Sequence, residues 1–245
     1  MSKLLVIEDS IIVQTILKKL LDDTPGFDYD FASSYKEAKL FLSQRRYEYS
    51  VTTRTLKDAP NGEIIALLNK HNLAPIIFSS EINEDFFEDF EAAQIIEYIK
   101  KIKNKNEILV VQKLLQLKAN KQITVLVVSD SKIYSTYLKQ NLTLHNFKVF
   151  IAHNNEEAYE KLRLHPETSL LMIDSNEPYV KTLEIVEFAR TQAPSQNLKI
   201  VVLSQESNSY FTSSMLHAGA DDYLLKEFSR DEFYVRVYQN INKVC

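Results

Sequence analysis

The sequence predicts two α/β domains in tandem, each a doubly wound parallel sheet of (βα)5 type, and three observations lead there. The chain has 245 residues, more than a single core usually serves, so two domains are the default expectation. A unit of about 120 residues repeats: "VIEDS" at 6 to 10 returns as "VVSDS" at 127 to 131, and "EYIKK" at 97 to 101 returns as "DYLLK" at 222 to 226. Within each unit, short apolar runs alternate with stretches of helix length, the pattern of strands whose crossover helices cover both faces of a parallel sheet.

In the first unit the strand candidates are "KLLVI", "FDYDFA", "YSVTT", "APIIFS" and "IIEYI". In the second they are "ITVLVV" (123 to 128), "KVFIA" (148 to 152), "SLLMI" (169 to 173), "KIVVLS" (199 to 204) and "DYLL" (222 to 225). Between the units, "NEILVVQKLLQLKANKQ" (106 to 122) spaces Ile108, Val111, Leu114, Leu115 and Leu117 as a helix does. It reads as the last helix of the first unit running into a short polar linker, "KANKQ". The domains are therefore expected at 1–120 and 121–245. "DEFYVRVYQNINKVC" closes the chain as an amphipathic helix.

Composition narrows the function. A net charge of -4 supplies no basic footprint for nucleic acid. The one cysteine, Cys245, excludes a disulfide framework and a thiolate metal cage. Three glycines, Gly26, Gly62 and Gly219, cannot spell a glycine-rich phosphate loop. With no apolar run of membrane-spanning length and no signal peptide, a cytoplasmic protein is expected. The five histidines are scattered, without a pair at ligand spacing.

Ligands of open parallel sheets bind outside the carboxyl ends of the strands. In the second unit four polar residues fall there: Asp130, Asp174, Ser204 and Lys226. Burying Asp174 after four apolar residues is costly without partners, so the four are expected to converge. Read singly, each has a plainer explanation: strand-end aspartates cap helices, and Lys226 fits an exposed surface.

Together these motifs resemble the CheY-like receiver domains of bacterial two-component response regulators. "VVSDS" stands where that family has its acidic pair, "MIDSNEP" where it has the phospho-acceptor aspartate, "VVLS" where it has a Ser/Thr, and "GADDYLLKEF" where it has its lysine. The resemblance implies two flavodoxin-like domains. It also implies that Asp174 takes a phosphoryl group from a histidine kinase or a histidine phosphotransfer protein. Mg2+ or Mn2+ is then held by Asp130, Asp174 and the main-chain carbonyl of Asn176. Lys226 and Ser204 contact the phosphoryl oxygens, and Tyr223 moves with Ser204 as the switch aromatic, a residue that by itself reads as core packing. Three departures stand out: Ser129 replaces one acid of the pair, Thr182 a glycine, and Glu227 a proline.

The first unit reads as a degenerate copy, a pseudo-receiver. Counting eight residues back from Gly62 puts Arg54 at the acceptor position, with Asp58 as the nearest rival four residues later. Glu8, Asp9, Ser80, Tyr98 and Lys101 fill the rest of the pocket. The expectation is that Arg54 pairs with Glu8 or Asp9 and fixes this copy in one state, with neither metal nor phosphate. "EINEDFFEDFEAAQ" (81 to 94) interleaves acids with three phenylalanines, either a helix with one solvated and one buried face or a contact surface for a basic partner.

Three function classes follow. The leading one is a phosphorylation-switched signalling module, acting through a homodimer or a C-terminal output domain. In relatives a similar closing helix leads into a diguanylate cyclase (GGDEF) domain of cyclic di-GMP signalling. The others are a phosphorylation-independent scaffold with two inert copies, and a flavodoxin-like cofactor binder.

Overall fold

A computed structural model describes residues 1–80, 94–102, 105–176, 179–192, 197–205 and 208–242. The acidic, phenylalanine-rich segment therefore lies, but for Gln94, outside the described residues. The chain divides into two compact units, Met1–Lys118 and Ala119–Cys245.

The first unit runs β1 (Ser2–Ile7), α1 (Ile11–Asp22), β2 (Phe27–Ala32), α2 (Tyr35–Gln44), β3 (Tyr49–Thr52), α3 (Glu63–Lys70), β4 (Pro75–Ser79), β5 (Glu97–Lys100) and α4 (Glu107–Asn120). The second runs β6 (Thr124–Val128), α5 (Lys132–Leu144), β7 (Lys148–Ala152), α6 (Asn155–Leu164), β8 (Thr168–Ser175), α7 (Val180–Gln192), β9 (Lys199–Ser204), α8 (Ser209–His217), β10 (Asp222–Leu225) and α9 (Arg230–Asn242). Helix α4 extends to Asn120, three residues into the stretch the sequence reads as linker. Ile108 and Leu115 on that helix are exposed, while Val110, Val111, Leu114 and Leu117 are buried.

Each unit holds one five-stranded parallel sheet, ordered β2-β1-β3-β4-β5 and β7-β6-β8-β9-β10. The order of strand addition reverses between β1 and β3 and between β6 and β8, so those strand ends open a crevice. Alternation along the strands sorts the second core into two layers. Leu126, Val128, Leu171, Ile173, Ile200 and Val202 pack on Ala158, Leu162, Ile185, Val186, Phe211 and Met215 of α6, α7 and α8. Val125, Val127, Leu170, Met172, Val201 and Leu203 pack on Leu138, Leu142, Phe233, Tyr234 and Val237 of α5 and α9. Side chains buried this way contribute about 1.5–3 kcal/mol each, which is why the polar residues of these strands are confined to their ends.

Caps fix where the helices begin. Asn154 accepts from Glu157 N at 2.9 Å while the Glu157 carboxylate accepts from His153 N at 2.9 Å, a reciprocal box that starts α6 at the crevice. Ser131 accepts from Tyr134 N at 3.2 Å and starts α5 beside Asp130. Among the described residues no helix is long and apolar enough to cross a membrane.

Candidate functional site

At the carboxyl edge of the second sheet the strand ends bring Ser129, Asp130, Asp174, Asn176, Ser204 and Lys226 together. Asp174 is 8 % exposed and continues the alternation of Leu170 and Met172, so its carboxylate faces the α5/α9 side. There Lys226 Nζ forms an ion pair with Asp174 Oδ1. Ser129, almost fully buried, donates from Oγ to Asp174 Oδ2 at 2.5 Å. Asn176 joins the rest, donating from Nδ2 to Asp130 Oδ1 at 2.9 Å and accepting from Lys226 Nζ at 3.0 Å. The buried carboxylate thus has a cation on one oxygen and a hydroxyl on the other, which offsets the cost of removing it from water.

Ser204 ends β9 in register with Leu225 of β10, and its carbonyl accepts from Lys226 N at 2.8 Å, which ties the lysine segment to the strand end. Tyr223, half-buried, meets Phe211 of α8 edge-on at 6.0 Å. A cleft of about 250 Å³ opens beside Asp174, walled by Asp130, His153, Asn155, Asn176 and Lys181.

The donors around Asp174 are oxygens, the kind a hard divalent cation takes. Asp130 and Asp174 supply the carboxylates, and Ser129 stands where a further acid would complete the set. Among the described residues no three His, Cys, Asp or Glu side chains are grouped to hold a metal. The donor chemistry fits Mg2+ or Mn2+, with one carboxylate fewer than a full acidic cluster.

In the first unit the ladder corrects two positions. Thr52 pairs with both Ile7 and Ile77, as Ile173 pairs with Val128 and Val202. Thr53 therefore stands where Asp174 stands, and Arg54 falls in register with Ser175 on the opposite side of the strand. The count from Gly62 fails because the turn after β3, bridged between Leu56 and Ala59 and ending on Gly62 at φ 82°, carries one residue more. Likewise Ser79, buried and paired with Lys100, is the counterpart of Ser204, whereas Ser80 is exposed.

The sequence expects Arg54 on Glu8 or Asp9; on Glu8 the pairing cation is an ammonium. Lys101 Nζ lies 2.6 Å from Glu8 Oε2, and Ser10 N donates to Oε1 at 3.1 Å. Tyr98 donates its hydroxyl to Ser79 O at 3.0 Å. Asp9 is half-buried at the same strand end. Asp58 is spent elsewhere, since its carboxylate accepts from Tyr35 N at 2.9 Å and Lys36 N at 3.1 Å and so caps α2. Those backbone bonds, Tyr35 first, hold its carboxyl below the ordinary range.

Three features escaped sequence reading: Thr53, Ser79 and the direct Ser129–Asp174 bond. The strand ladder carries the first two, and no local motif signals the third.

The sequence model of the response regulator receiver domain matches residues 125–238. Response regulator ArlR of Staphylococcus haemolyticus (strain JCSC1435) is 28% identical over 113 residues, 46% of this chain and 50% of that protein. ArlR of Staphylococcus aureus (strain Mu50 / ATCC 700699) is likewise 28% identical over 113 residues. The chain spans about half the length of these curated relatives, 50% in each case. Two solved structures, both described as a two-component system response regulator/GGDEF domain protein, are similar over the whole chain. They are 27% and 26% identical, with TM-scores of 0.85 and 0.84, covering 100% of this chain and 99% of each of theirs. The second unit thus matches the response regulator receiver domain, and the two parallel sheets in flavodoxin-like order resemble receiver domains in tandem.

Proposed function

We propose that the second receiver accepts a phosphoryl group on Asp174 and that the first does not. The observation that carries this reading is the buried Asp174 carboxylate held between Lys226 and Ser129 Oγ at a crevice open to a donor. In the transfer a carboxylate oxygen of Asp174 bonds to phosphorus. The bond from phosphorus to the imidazole nitrogen of a histidine kinase or phosphotransfer protein breaks, and the electron pair leaves with that nitrogen. As charge builds on the phosphoryl oxygens, Lys226 exchanges Asp174 Oδ1 for one of them, and the Ser204 hydroxyl donates to another. Little covalent work falls to the protein, so positioning and charge placement are the catalysis. Asp130, Asp174 and the Asn176 carbonyl would hold Mg2+ or Mn2+, which when bound neutralises charge on the transferring group.

Phosphorylation then shifts Ser204 and Tyr223 and changes the α8–β10–α9 face, which controls a homodimer contact or an output domain. The GGDEF module named for the two solved relatives is the output class this proposal favours. In the first receiver Thr53 offers no carboxylate, and Lys101 is satisfied by Glu8.

Incubation with Mg2+ and acetyl phosphate, read by intact mass, is expected to add one phosphate to the wild-type chain and none to Asp174→Asn. No adduct on wild type would favour a scaffold of two inert receivers, the reading that Ser129 supports. An adduct that survives the substitution would place the acceptor elsewhere.

A further inference from the structure

Tyr134, on the first turn of α5, is the feature of the second site that this chemistry leaves unexplained. Its ring lies under the Lys226 ammonium, 5.0 Å from Nζ to centroid, on the α5/α9 side of the sheet that Asp174 faces. Its hydroxyl oxygen is shut off from solvent and has no hydrogen-bond partner among the described residues. A buried, unmatched hydroxyl is costly, and a phenylalanine would keep the ring without that cost. Burial, then the negative charge of Asp174, pushes the phenol well above its ordinary value, so the group is a neutral O–H donor at every physiological pH. The first receiver has Val13 at the matching helix position and rests Lys101 on Phe78 instead, at 5.4 Å.

We propose that the Tyr134 hydroxyl is a further hydrogen-bond donor to the phosphoryl group carried by Asp174, left unmatched until that group arrives. The inference rests on Asp174 being the acceptor. Phosphorylation puts three acceptor oxygens where the unmodified site offers a carboxylate already claimed by Lys226 and Ser129. One of them meets Lys226, one Ser204, and the third satisfies Tyr134.

The test uses the full chain and compares wild type, Tyr134→Phe and, as a neighbour control, Tyr137→Phe, whose ring stacks on Tyr134 at 6.1 Å. Two quantities are read with Mg2+ present: affinity for beryllofluoride, a phosphoryl mimic, and the half-life of the aspartyl phosphate formed from acetyl phosphate. Tyr134→Phe is expected to weaken beryllofluoride binding and shorten the half-life by about tenfold each. Its melting temperature without ligand should equal or exceed that of wild type, because an unmatched hydroxyl has been removed. Tyr137→Phe is expected to change neither quantity. Unchanged binding and half-life in Tyr134→Phe would overturn the proposal while leaving Asp174 as acceptor. Equal losses in both variants, or a lower melting temperature with unchanged binding, would reduce Tyr134 to packing and overturn it too. A wild-type chain that takes neither beryllofluoride nor phosphate would remove the acceptor reading and, with it, this one.

Discussion

Replacing Lys101 by methionine tests the charge pair that closes the first receiver's site. The Glu8 side chain is 3% exposed and that of Lys101 20%, with 2.6 Å between Oε2 and Nζ. At an effective dielectric constant near 20, the attraction at that distance is about 6 kcal/mol before desolvation is subtracted. Removing one partner of a buried pair costs about 3–5 kcal/mol, because the other charge stays buried and unmatched. The partial exposure of Lys101 places the cost near the lower end, about 3 kcal/mol. The assay is native-state hydrogen exchange of the β1 amides by mass spectrometry, which isolates the first domain where a bulk melt mixes two. Lys101→Met is expected to speed β1 exchange roughly a hundredfold. Adding Glu8→Gln should recover most of the loss, since no charge then remains buried. An acceleration below about threefold would mean that Lys101 does not carry the Glu8 charge, and the account of this site would fail.

Two further outcomes follow from other sites. Asp58→Ala removes the acceptor of two α2 amides and is expected to lower the melting temperature of the first domain while leaving phosphate uptake by the chain unchanged. Because the native carboxyl is held below its ordinary value, that stabilisation is present above the ordinary carboxylate range and is lost as pH falls through the native value. At the alkaline end, burial raises the Tyr234 phenol to about 12, and its hydroxyl donates to Asn141 O at 2.8 Å. Its stabilisation is present below the unfolded value of about 10 and is lost as pH rises toward the native one. The melting temperature of the second domain should therefore fall faster above pH ~10 in wild type than in Tyr234→Phe.

The strands were legible because a parallel sheet covered on both faces writes itself as apolar runs, and "KVFIA" and "DYLL" coincide with β7 and β10 residue for residue. The second site was legible for a related reason. Polar residues at the ends of such runs have only the crevice to occupy, so Asp130, Asp174, Ser204 and Lys226 could be placed from strand ends alone. The first site was misread by one position twice, at Arg54 for Thr53 and at Ser80 for Ser79, and the Arg54 error has a clear cause. A count along the chain passes through a turn whose length is free, whereas register is set across the sheet, where a one-residue slip would move Val51 and Ile77 to the opposite core layer. Ser129 escaped because its bond to Asp174 joins residues 45 apart.

With register corrected, the two sites are mirror images in charge, and this gives a prediction in which function is gained. Each buries one carboxylate against its lysine and sets a hydroxyl residue opposite. The first has Glu8 on β1 with Thr53 after β3, and the second has Ser129 after β6 with Asp174 on β8. The first pocket therefore keeps two strand-end acids, Glu8 and Asp9, along with Ser79 and Lys101, and lacks only a nucleophile. Thr53→Asp supplies one at the position the ladder assigns, beside a cation donor set one carboxylate richer than that of the second receiver. The added charge crowds Glu8, so β1 exchange is expected to quicken without Mg2+ and to slow when Mg2+ is added. With acetyl phosphate, Thr53→Asp combined with Asp174→Asn is expected to take one phosphate, mapped to the peptide that follows β3, whereas Arg54→Asp with Asp174→Asn takes none. If the Thr53 variant stays unmodified while the Arg54 variant is labelled, the ladder has been misread. If neither is labelled, the first receiver is inert for a reason deeper than its missing carboxylate.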